Sequence, residues 1–311
     1  MSLLRRRVMG KRGVRLQWEL QAQNIGSTSK WYDVTYGNGL FVAVSNAPAA
    51  PYPVSTSTDG ITWTSRTAIA STWYSVCYGN GLFVAVGWPD IMTSPDGITW
   101  TLRTSPISNK TWYDVCYGNG AFVAVSTTGE IIRSIDGITW ATQVTSSVPL
   151  HNICYVNGLF YASSANAAND VVMTSPNGIT WTTKNTGIFH PNNFLVYGNG
   201  LFVAMSSSIS SIPTTYIMTS TDGFNWASMS IDGNNGMLSL CFGNGIFVSA
   251  GNSATANNLP DIMLSTDGVN WEFERSPIKM GDGGEFWRGL CYGNGKFVAV
   301  GQTGRVMTAA A

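Results

Sequence analysis

The 311-residue chain is 44% apolar and only 11% charged, against about 25% charged in an ordinary soluble domain. Its surface must be built from Ser, Thr, Asn and the 34 glycines, which excludes a coiled coil, a highly charged disordered chain and a typical nucleic-acid-binding domain. The zero net charge divides unevenly: Arg5, Arg6, Arg7, Lys11, Arg12 and Arg15 give the start of the chain +6 and leave −6 for the rest.

No apolar run approaches the ~20 residues of a membrane span, and the first residues lack the apolar core of a signal peptide. The expectation is a soluble chain without an export signal, assembled in the cytoplasm. In chain order, residues 1–13 are predicted as a basic arm, followed by a short strand over 14–20 containing Trp18. A repeat then fills the chain. Tyr36-Gly37-Asn38-Gly39 recurs at Tyr78, Tyr117, Tyr155, Tyr197, Phe242 and Tyr292, seven copies at a mean spacing of about 43 residues between Asn38 and Asn294, the size of a four-stranded propeller blade.

Each copy predicts four strands. Strand A is clearest at Trp112–Tyr117, and a Gly-Asn-Gly turn leads to strand B, Phe122–Val125. Strand C is typified by Ile91–Ser94, and an Asp96-Gly97 turn opens strand D over Ile98–Thr101. β-Branched and aromatic residues favour the strands, and Asn and Gly tolerate the positive φ of the turns. The unbroken apolar runs of strand B fit a sheet covered on both faces.

Trp63, Trp100, Trp140, Trp181, Trp226 and Trp271 hold one place on the predicted strand D in six units, whereas the last unit stops after strand C. Arg15–Glu19 matches Val269–Glu272, so Trp18 is predicted to close the ring. The fold expectation is all-β: one seven-bladed β-propeller over 14–311, its last blade taking strands A to C from the C-terminus and D from residues 14–20. Closure removes the exposed sheet edges of an open stack. Cys77, Cys116, Cys154, Cys241 and Cys291 share one strand A position, which predicts buried free thiols. Met92, Met173, Met218, Met263 and Met307 share one on strand C and are expected in the core.

The segments Ser57–Trp63 and Ser265–Trp271 resemble the Asp box of sialidase-type propellers, Ser-x-Asp-x-Gly-x-Thr-Trp, with one residue fewer between Asp and Gly. Together with the Tyr-Gly-Asn-Gly and Phe-Val-Ala-Val elements, the repeat looks like those of tailed-bacteriophage virion proteins such as tail fibres and receptor-binding proteins. The resemblance covers nearly all of the chain from Trp18 to Met307. It implies a non-enzymatic virion protein attached by its arm to other virion proteins and presenting a face to a host-surface glycan, receptor or protein. The alternative it implies is a sialidase-like hydrolase of host glycans.

Asp59, Asp96, Asp136, Asp222 and Asp267, with Asn177, recur with the turn itself, whereas a catalytic residue is needed once. A sialidase site needs three convergent arginines, yet Arg66, Arg103 and Arg275 follow strand D toward the perimeter. Asp33 and Asp114 could supply a carboxylate pair, and His151 and His190 are too few for a metal cluster or triad. No catalytic residue, metal or cofactor is expected.

The A–B and C–D turns are nearly uniform and share one face of the disc, while the B–C and D–A loops vary and share the other. Loops on a rigid scaffold usually carry binding. The candidate contact residues on that face are Trp31, Tyr32, Trp73, Tyr74, Trp112, Tyr113, Trp287 and Arg288 at the start of strand A, and Trp88 outside that register. Arg5, Arg6, Arg7, Lys11 and Arg12 are the candidate anchor. Nucleic acid is not an expected partner of that arm, because the acidic body would repel a polyanion, and no membrane insertion is expected.

Overall fold

The computed structural model describes residues 14–21, 30–47, 52–164, 171–185, 194–207, 214–232, 236–252, 260–278 and 284–311. They form seven four-stranded antiparallel sheets, without a helix among the described residues. Blade 1 consists of Trp31–Gly37, Leu40–Ser45, Val54–Ser57 and Thr64–Arg66, and the inner strands of blades 2 to 6 are Thr72–Gly79, Trp112–Gly118, Leu150–Val156, Phe194–Gly198 and Met237–Gly243. Blade 7 runs Trp287–Gly293, Lys296–Gly301 and Val306–Ala310, and takes Trp18–Leu20 as its outer strand.

The closing register is that of the complete blades. In blade 6, Met263 faces Phe273 and Leu264 faces Glu272; in blade 7, Met307 faces Leu20 and Thr308 faces Glu19. Trp18 is therefore to blade 7 what Trp271 is to blade 6. One difference follows from the chain break: Trp271 Nε1 donates to Gly268 O at 3.1 Å, while Trp18 has no Asp-Gly turn ahead of it and its buried Nε1 finds no acceptor among the described residues.

Alternation along strand B glues the ring. Phe122 and Ala124 pack with Val84, Val86 and Ile91 of the preceding blade, whereas Val123 and Val125 pack with Leu150, Ile153 and Phe160 of the next. A period of two thus places consecutive apolar residues on opposite faces, both covered. The five strand C methionines are buried among these layers.

Strand D starts three residues later than predicted. In blade 2 it is Thr101–Arg103, because the N–H groups of Ile98 and Thr99 both donate to Asp96 Oδ1 at 2.8 Å. Ser94 Oγ donates to the same carboxylate, Gly97 has φ +72°, and Trp100 Nε1 donates to Gly97 O at 3.1 Å. The same bonds recur at Asp59, Asp136, Asn177, Asp222 and Asp267, so these side chains hold turns. The backbone N–H of Thr99 foremost keeps Asp96 below the usual carboxylate range, burial opposing it and the Ile98 N–H assisting.

At the turn face the blades are stitched together. A Cβ on Gly79 would lie 2.1 Å from Cγ of Tyr117 in the next blade, so the missing side chain is the seat of a neighbouring ring. Asn119 Nδ2 donates to Pro176 O at 2.8 Å and Asn199 Nδ2 to Thr266 O at 2.8 Å, each from an A–B turn to the next blade's C–D turn.

All five cysteines are free. Only Cys241 is fully buried; Cys77, Cys116, Cys154 and Cys291 are partly exposed, a correction to the expected burial. Their strand is the innermost, so one of its faces lines the centre of the ring rather than a blade interface. Burial still pushes the Cys77, Cys116 and Cys291 thiols well up.

Candidate functional site at the axis of the loop face

Strand A enters from the loop face, and in six blades its pairing with strand B skips one residue near its start. The shifts lie between Trp31 and Asp33, Trp73 and Ser75, Trp112 and Asp114, Leu150 and Asn152, Met237 and Ser239, and Trp287 and Gly289. A bulge turns one residue out of the alternation and aims its side chain differently from its neighbours. The residues so turned are Tyr32, Tyr74, Tyr113, His151, Leu238 and Arg288, and all six line one cavity of about 210 Å³.

The bulge divides the predicted aromatic pairs. Trp31, Trp73, Trp112 and Trp287 are 0% exposed and pack against the preceding blade, Trp112 against Val84, Val86 and Ile91 and Trp287 against Val248 and Ile262. They offer no ring to a ligand. Their successors Tyr32, Tyr74, Tyr113 and Arg288 do reach the cavity. Trp88 is 49% exposed at the loop-face end of blade 2's second strand, Leu82–Trp88, and does not line the cavity. Arg5, Arg6, Arg7, Lys11 and Arg12, like His190, lie outside the described residues, as do 48–51, 208–213, 253–259 and 279–283 of the variable loops.

The cavity has two unlike halves. Blades 7 and 1 to 4 supply a linked aromatic and cationic wall. Tyr74 stacks on Tyr113 with centroids 5.1 Å apart, the Tyr32 and Tyr113 hydroxyls hydrogen-bond, and Tyr113 meets the His151 ring at 3.5 Å. The guanidinium carbon of Arg288 lies 5.2 Å from the Tyr32 ring centroid, within cation–π range. Blades 5 and 6 supply Phe194, Met237, Leu238 and Leu240, with Leu290 of blade 7 beside them.

Beneath the bulge, the next residue of strand A ties blades together. Asp33 accepts the N–H groups of Val34 at 2.8 Å and of Val76 in blade 2 at 2.9 Å. Asp114 accepts the N–H of Val115, the N–H of Ile153 in blade 4, and the hydroxyl of Ser75 in blade 2. Burial raises Asp33 to about 6 and Asp114 to about 7, against the lowering pull of those donors. Burial, then the charge of Arg288, lowers His151 to about 4, so at neutral pH it is an uncharged imidazole. Burial, then Tyr32, pushes the Tyr113 hydroxyl well up. Arg288 is the fixed cation of the cavity. Among the described residues its buried Nε has no hydrogen-bond partner, and no carboxylate lies within ion-pair distance of it.

Leu238, Ser75, Phe194, Met237 and Leu240 were not singled out in the sequence, and His151 was weighed there only as a metal or triad residue and set aside. For His151 and Leu238 the signal available was the column rather than the motif: the residue four before the Tyr or Phe of the A–B turn, shared with Tyr32, Tyr74, Tyr113 and Arg288, whether or not it belongs to a Trp-Tyr pair.

No protein-family model matches the chain, and no curated protein does. Solved structures match in shape. Virginiamycin B lyase from Staphylococcus aureus superposes with a TM-score of 0.71 at 12% identity over 95% of this chain and 100% of that one, and the enzyme is also solved with quinupristin. YCF48 from Cyanidioschyzon merolae gives 0.67 at 15% identity over 94% and 98%, and a YCF48 is solved bound to a D1 peptide. The WD40 propeller domain of Doa1 gives 0.69 at 14% over 95% and 97%. These proteins differ in function, and what the chain shares with them is the fold: a seven-bladed β-propeller.

Proposed function

We propose that the chain is a non-enzymatic binding module of a tailed-bacteriophage particle, attached through its basic arm to other virion proteins and holding a host-surface glycan at the axial cavity. The observation that carries this reading is the axial cavity among the strand A starts on the loop face, where Tyr32, Tyr74 and Tyr113 offer aromatic rings and Arg288 a cation to a ligand. The turn whose Asp accepts two N–H groups and whose Trp donates to its Gly supports kinship with Asp-box repeats, and the full repeat with phage virion propellers.

A hydrolase is the second reading, because Asp33 and Asp114 line the cavity with raised pKa values. Against it, both carboxylates are engaged by backbone N–H groups of an adjacent blade, one arginine rather than three lines the cavity, and Tyr113 is made harder to ionise, the reverse of an activated nucleophile. The test is to incubate the purified protein with host envelope polysaccharide and measure bound protein and released sugar. Binding without release is expected; release that is lost in Asp114→Asn would establish the hydrolase. Deletion of residues 2–12 should abolish incorporation into particles and leave glycan binding intact.

A further inference from the structure

We infer that the axial cavity recognises a saccharide bearing an oxyanion, with Arg288 as the residue that pairs with the charged group. This rests on the glycan reading and adds the ligand's charge and orientation. Arg288 stands on a bulge that points it into the cavity, its flank held over Tyr32, and its buried Nε lacks an acceptor among the described residues. A buried, unpaired donor of this kind is costly unless a ligand satisfies it, and a guanidinium fork matches the paired oxygens of carboxylate, sulfate or phosphate.

The rest of the cavity does not supply that partner. The carboxyl groups of Asp33 and Asp114 accept the backbone N–H groups of Val76 and Ile153, neither is ion-paired with Arg288, and their burial favours the uncharged acids. The Tyr32 and Tyr113 hydroxyls engage each other, while Leu238 and Phe194 face them across the cavity. A ligand with the oxyanion at one edge and an apolar face on the body satisfies both halves at once. It enters with the charge toward blade 7 and the apolar face toward blades 5 and 6.

Position 288 can be changed without dismantling the fold, because blade 6 carries Leu238 at the same place on its own bulge. Binding is measured by ligand-observed NMR with D-glucuronate, D-glucose 6-phosphate and D-glucose. The expected result is at least a tenfold preference for a charged sugar over glucose, lost in Arg288→Leu, retained in part in Arg288→Lys, and retained in Trp88→Ala, which lies away from the cavity; the better of the two charged sugars identifies carboxylate or phosphate as the source. Equal binding of glucose, no binding of either charged sugar, or a preference that survives Arg288→Leu with an unchanged melting temperature overturns the inference. Host polysaccharide that binds equally well after carboxyl reduction and dephosphorylation would likewise overturn the oxyanion while leaving the glycan reading in place. A protein that takes up charged monosaccharides through Arg288 but no host polysaccharide would retain the inference and overturn that reading.

Discussion

The two ends of the inner strands obey different rules. At the turn end six blades repeat one solution, an aromatic ring lying over a neighbouring glycine, and Asn119, Asn199 and Asn294 reach into the next blade. At the loop end the same strands carry Tyr32, Tyr74, Tyr113, His151, Leu238 and Arg288 at one position, so seven near-copies enclose a cavity with a cationic aromatic half and an apolar half. Repetition makes a closed and stiff ring, and variation at a single column then writes chemistry on its axis. Trp112 and Tyr113 show how sharp the boundary is, since the first is wholly buried and the second lines the cavity.

The comparison can be broken most strongly at Trp112. Replacing it with Ala removes a fully buried indole from the seam between two blades and should cost about 3–5 kcal/mol, read as a lower denaturation midpoint. Trp18→Ala strikes the closure instead. Its indole is partly buried and lacks the hydrogen bond of its six counterparts, so about 3 kcal/mol is expected, and loss of cooperative unfolding would mark the opening of the ring. An unchanged midpoint would contradict the pairing with blade 7.

At the turn end, Gly79→Ala places a methyl group into the ring of Tyr117 and should cost about 1–3 kcal/mol by overpacking. Blade 4 carries Val156 at this place, packed with Tyr197 in one cluster, so Val156→Gly should also destabilise, by loss of packing rather than by overpacking. Both are read by thermal melts.

The staples beneath the cavity predict a pH effect. Asp33 and Asp114 have folded pKa values of about 6 and 7, above the unfolded value near 3.9. Their contribution is fully present below about pH 4 and is lost as pH rises through about 6 for Asp33 and about 7 for Asp114. His151, lowered to about 4, acts in the opposite sense between about pH 6.5 and 4. The wild type should therefore lose stability relative to Asp114→Asn as pH rises toward 8, and a pH-independent difference would show that the carboxyl is not buried in the fold. The smallest effect is expected at Trp88, half exposed and away from the cavity: Trp88→Ala should change stability by no more than about 0.5 kcal/mol and leave glucuronate binding unaltered.

Much of the architecture was legible in the chain itself. The period near 43 residues, the Asn-Gly and Asp-Gly turns, the two-sided apolar runs of strand B and the match of Trp18 to Trp271 are local patterns, and hydrogen bonding and burial along a strand act over a few residues. That is why blade number, strand order and closure could be read without coordinates, while the start of strand D, set by an Asp side chain capturing two N–H groups, was displaced. The site was not local. Which of Trp112 and Tyr113 faces the axis depends on a bulge in the pairing with strand B, and Asp33 and Asp114 are buried by Val76 and Ile153, 43 and 39 positions away. Those partners meet only when the ring closes, so the cavity and its charge belong to the tertiary structure.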